Sequence, residues 1–72
     1  MQLTAIIEAG EDGWLVGQIE EVPAAIAQGR TVEEVKASLM ETLELLLQAQ
    51  RELTERDYAG RTVIRKILHI AG

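Results

Sequence analysis

Apolar and polar positions alternate along Leu3-Thr4-Ala5-Ile6-Ile7-Glu8, which predicts a strand with Leu3, Ala5 and Ile7 on one face. Gly10-Glu11-Asp12-Gly13 supplies the turn, because two glycines and an Asp tolerate the positive φ values of a tight hairpin. Trp14 to Ile19 reads as the returning strand, with Gly17 marking a bulge or a close neighbour. Pro23 cannot donate to a ladder, so a third short strand, about Ala24 to Gln28, either begins after it or lies at an edge. The three strands form a meander.

The period then changes. Thr31 followed three residues later by Glu34 is a capping box, in which the hydroxyl accepts from an orphan N–H and the carboxylate returns to the cap's own N–H. From Val32 to about Arg56, steps of 100° place Val32, Val35, Leu39, Leu43, Leu46 and Leu53 in one stripe, widened by Met40 and Leu47. Glu34, Glu41, Gln48 and Glu52 take the opposite face, where Leu45 stands alone. A helix of about 25 residues is roughly 37 Å long, whereas strands of about six residues span roughly 20 Å. The overhang carries Leu46, Leu47 and Leu53, which are predicted to pack against a second copy of the chain, in a homodimer or higher homo-oligomer.

Beyond Gly60, a C-cap or turn residue, Thr62 to Ile70 reads as a last, long strand. Ile64, Leu68 and Ile70 share one side with Lys66, and Val63 and Ile67 share the other with Arg65 and His69. The predicted class is α+β with element order β-β-β-α-β, one domain over residues 1–72. The last strand pairs either within the chain or with a neighbour.

Size sharpens the expectation of self-association. The chain has 72 residues, one His and no Cys. A domain so short buries only about 60 to 65% of its unfolded surface. Disulfides and a closed structural zinc site are both excluded by composition, which leaves association as the staple. Twelve acids against seven Lys and Arg give a net charge of -5, which disfavours nucleic acid and anionic membranes and favours a basic partner. The balance is uneven, -7 over residues 1–50 and +2 over residues 51–72. No apolar run reaches the roughly 18 to 20 residues of a membrane span, and no signal peptide is legible at the N-terminus. The expected location is the cytoplasm.

Catalytic chemistry finds little material. The one serine, Ser38, lies inside the helix with no His nearby in sequence, and His69 fits a structural or solvent-facing role. A two-metal nuclease needs three or more converging carboxylates; Glu8, Glu11, Asp12, Glu20 and Glu21 are the candidates, and each also fits a polar residue at a turn. Gly10 and Gly13 join two strands and open no helix, so they form no phosphate cradle. Arg56, Arg61, Arg65 and Lys66 are the only basic patch, and a charged edge that blocks aggregation explains them better than nucleic-acid binding through a paired ribbon. Neither enzymatic activity, nor a metal, nor a cofactor is expected.

In order, Thr4-Ala5-Ile6-Ile7-Glu8, then Glu11-Asp12-Gly13-Trp14, Pro23, Gln28-Gly29-Arg30-Thr31 and Glu33-Glu34 entering a leucine-rich helix resemble the HicB family of toxin-antitoxin antitoxins. The resemblance covers Leu3 to about Gln48. It implies a reduced ribonuclease H-like domain that has lost catalysis and neutralises a small, basic, RNA-cleaving toxin. Where the family commonly has Pro-Gly-Cys, this chain has Pro23-Ala24-Ala25, so that turn is not carried over. The family's C-terminal DNA-binding module has no room in the 24 residues after Gln48, and DNA binding is not expected. The acidic residues Glu8, Glu11 and Asp12 are the expected partner contacts. The alternative is an orphan self-associating domain with no toxin partner.

Overall fold

Asp12 and Gly13 both take positive φ, 54° and 78°, and the Trp14 N–H donates to the Glu11 carbonyl at 3.0 Å. Two consecutive left-handed residues closed by this bond turn the chain with the twist that antiparallel strands require. The turn joins β1 (Ala5–Ala9) to β2 (Leu15–Ile19), and β3 (Val22–Gly29) follows. In this computed structural model, which describes residues 2–70, the sheet is antiparallel throughout with order β1-β2-β3. Ile7 stands opposite Gly17, and Gly17 opposite Ala27. A register shift falls at Gln18/Ile19, one residue beyond the glycine that the sequence marks. β3 is longer than expected and includes Pro23, which an edge strand tolerates because part of its N–H row is unpaired anyway.

Helix α1 (Val32–Tyr58) runs two residues past its expected end. The Glu34 N–H donates to Thr31 Oγ1 at 3.1 Å, as the capping box requires. The Glu34 carboxylate, however, accepts from the Arg30 N–H at 2.6 Å and so reaches one residue beyond the cap's own N–H. At the other end Gly60, with φ of 82°, reverses the chain, and the Arg61 N–H donates to the Tyr58 carbonyl at 3.0 Å.

The helix lies on one face of the sheet. Ile19, Ala25, Val35 and Leu39 are buried, with Ile7, Leu15, Val22, Ala27, Leu43 and Leu46 packed around them. Gly17 is where the two layers meet most closely: a Cβ there would collide with Val35 Cγ1 and stand 3.2 Å from Leu39 Cδ1. Two expectations about the stripe need correction. Leu46 joins the rim of the chain's own core, because the helix still overlies the sheet at that turn, and Val32 is half exposed at the first turn.

The expected final strand is absent from the sheet. Residues 62–70 have no strand conformation and are exposed throughout, so the element order among the described residues is β-β-β-α. Helix α1 sets the start of this segment far from the sheet. Its 27 residues extend about 40 Å, and they release the chain well beyond the sheet edge, in a molecule whose longest dimension is 53 Å.

Candidate partner-binding surface

The inward positions of the sheet are taken by the helix, so strand alternation sends the remaining side chains to an open face. Ile6, Glu8, Val16, Gln18 and Ile26 line one shallow depression there. Ile6 and Ile26 are each more than half exposed. Glu8 sits directly opposite Val16 in the ladder, at the apolar patch's edge. Glu11 and Asp12 are exposed in the turn that follows β1. The three acidic residues singled out in the sequence therefore lie along one hairpin, and the structure adds an apolar face beside Glu8. That face could have been found from the alternation: placing Ala5 and Ile7 inward puts Ile6 and Glu8 outward.

The hairpin is held by a residue from the helix entry. Arg30 donates through Nη1 to the Asp12 carbonyl at 2.5 Å, and its guanidinium lies 3.9 Å from the centroid of the Trp14 ring. Gly13 has a positive φ, and a Cβ built there would stand 3.4 Å from Arg30 Nη1. This latch was not anticipated, since Arg30 and Asp12 are 18 residues apart. It ties the tip of the hairpin, where Glu11 and Asp12 lie, to the N-terminal end of α1.

Across the sheet, Glu21 serves the fold. Its Oε1 accepts from the Thr4 N–H at 2.7 Å, and this hydrogen bond holds its carboxyl below its ordinary value of 4.5. Among the described residues no three His, Asp or Glu side chains come together as a metal would require.

A second surface lies on the helix overhang. Leu47 and Leu53 are about half exposed. Leu47, Tyr58 and Val63 line a groove of about 560 Å³ between the end of α1 and the chain that follows, with Gln50, Arg51 and Arg65 among its polar members. Among the described residues no helix is long and apolar enough to cross a membrane.

Three known proteins are similar to this chain. A UPF0150 protein of Synechocystis is 39% identical over 67 residues, which is 93% of each chain. A UPF0150 protein of Archaeoglobus fulgidus is 25% identical over 64 residues, covering 89% of this chain and 93% of its own length. Another Synechocystis UPF0150 protein is 35% identical over 43 residues, 60% of this chain and 62% of its own. No family model matches, and no solved structure matches significantly.

Proposed function

The chain belongs to the UPF0150 family, and we propose that it is a non-catalytic protein-binding module of the antitoxin type, which covers a small, basic, RNA-cleaving toxin. The observation that carries this reading is the conjunction of exposed carboxylates at Glu8, Glu11 and Asp12 with the open apolar face of Ile6, Val16 and Ile26. An acidic rim beside an apolar centre suits a basic partner, because the charges steer the encounter and the apolar area holds the complex. The Arg30 latch supports the reading, since a rigid presentation lowers the ordering cost of binding. The ordered resemblance to HicB antitoxins supplies the class of partner, and it extends to a reduced ribonuclease H-like fold.

The test is co-expression with a small basic protein encoded in an adjacent reading frame, followed by affinity capture and association kinetics. The complex should co-purify, and the Glu11→Lys/Asp12→Lys variant should slow association about tenfold or more at low salt while leaving dissociation nearly unchanged. Failure of the two proteins to co-purify, or an association rate indifferent to charge reversal, rejects the toxin-binding role.

The exposed helix overhang favours a second reading, in which the domain is an orphan whose activity is self-association through Leu47 and Leu53, with Leu46 at the margin. Sedimentation at micromolar concentration separates the two. A clean monomer eliminates self-association, and an oligomer that captures no basic partner leaves it as the function.

A further inference from the structure

We propose that residues 62–70 form a strand on the free β1 edge of a second copy of the chain, so that two copies exchange their C-terminal segments. The inference rests on the self-association reading above and adds to the helix overhang a second contact surface, the β1 edge.

The segment Thr62-Val63-Ile64-Arg65-Lys66-Ile67-Leu68-His69-Ile70 has the composition of a strand without a partner. Ile67 and Leu68 are 84% and 88% exposed, values that a β-branched, apolar run does not keep when an unpaired sheet edge is within reach. Two such edges exist, one on β1 and one on β3. β3 contains Pro23, which has no N–H to offer, and bears no charged residue. β1 has neither a proline nor a glycine and carries Glu8 on its open face.

Charge selects the same edge. All twelve carboxylates precede residue 61, while residues 61–70 hold Arg61, Arg65 and Lys66 and no acid. Register adds specificity. If Lys66 stands beside Glu8, alternation puts Leu68 beside Ile6 in an antiparallel pairing and Ile64 beside Ile6 in a parallel one. Lys66 shares its face with both Ile64 and Leu68, so either direction joins an ion pair to an apolar pair on the open side of the sheet.

At this register, length separates the chain's own edge from a neighbour's. Leu39 and Ala5 line a common depression, which locates the start of β1 beneath Leu39. From Leu39 to Tyr58 the helix advances about 28 Å. Glu8 lies a further ~10 Å along β1, in the direction of the hairpin that Arg30 ties to the helix N-terminus. Eight residues from Tyr58 to Lys66, even fully extended, span only about 27 Å. Lys66 therefore falls about 10 Å short of its own Glu8 and meets the Glu8 of another copy without any change in the helix.

The test uses the full chain, which has no native cysteine to interfere. Glu8→Cys and Lys66→Cys variants are mixed and oxidised. Directly opposed residues on neighbouring strands have the separation a disulfide needs, so the expected product is a covalent dimer containing one of each variant. In parallel, Glu8→Lys and Lys66→Glu should each weaken self-association about tenfold or more by sedimentation, and an equimolar mixture of the two should restore it. A double-cysteine variant that closes only within one chain would overturn the proposal. So would a wild-type oligomer that forms no mixed disulfide and ignores the charge reversals, an outcome that leaves self-association standing by another surface. A wild-type monomer at micromolar concentration would remove both.

Discussion

The guanidinium of Arg30 lies 3.9 Å from the centroid of the Trp14 ring and donates to the backbone carbonyl of Asp12. One side chain thus joins the helix entry to the tip of the first hairpin. Arg30→Ala should cost about 1 to 2 kcal/mol of stability by urea denaturation, with a change in Trp14 fluorescence that accompanies loss of the stack. Arg30→Lys should recover only part of it, because an ammonium does not stack on the ring as a planar guanidinium does. Equal stability in all three proteins would show the latch to be inert.

Gly17 and Val35 predict a coupled pair. Gly17→Ala inserts a methyl group into the space occupied by Val35 Cγ1 and should destabilise by about 1 to 3 kcal/mol. Val35→Ala opens a cavity and is destabilising alone. The double variant should be more stable than the sum of the two losses predicts, and a thermal double-mutant cycle reads that interaction. Strict additivity would mean that helix and sheet separate at this point instead of repacking.

The capping box should be measurable on its own. Thr31→Ala removes the hydroxyl that accepts from the Glu34 N–H and should lower stability by about 1 kcal/mol. For a domain of this size that corresponds to about 4 to 8 °C in Tm. Thr31→Ser, which keeps the acceptor, should lose much less.

Glu21 gives the fold a defined acid response. Its carboxyl titrates below 4.5 in the folded chain because the Thr4 N–H bonds the charged form. The unfolded chain therefore binds this proton first as pH falls. Stability from the contact is complete above about pH 4.5 and disappears as pH drops through the lower folded value. Urea unfolding of Glu21→Gln between pH 3 and 6 should show a flatter acid limb than the wild type. Parallel limbs would assign the acid loss to other carboxylates.

Most of the local structure was legible because each element announces itself in the residues that make it. Asp12-Gly13 specify the turn, Thr31 and Glu34 specify where α1 begins, and Gly60 specifies where it ends. The inward set Ile7, Val35 and Leu39 follows from periods of two and 3.6 residues. What escaped the sequence depends on distances between elements. Leu46 looked like part of the overhang because the span of sheet beneath α1 is not written in either segment. Residues 62–70 have every local property of a strand, yet pairing is a relation, and the helix takes them away from the sheet that would have to receive them. The Arg30 latch joins residues that only the finished hairpin brings together. For the proposed contact surface, the sequence offers the carboxylates as candidates, and the strand register adds the apolar face next to Glu8.

Pro23 lies within β3, one of the sheet's two outer strands. A strand that accepts a neighbour along its whole length, in a sheet with two such strands, is a seed for fibres, because each addition exposes a fresh template for the next. Here the ring nitrogen of a single proline breaks the donor row on one side, while the other side keeps its row intact. The two edges of the sheet are therefore unlike, and pairing through them is biased toward the β1 side.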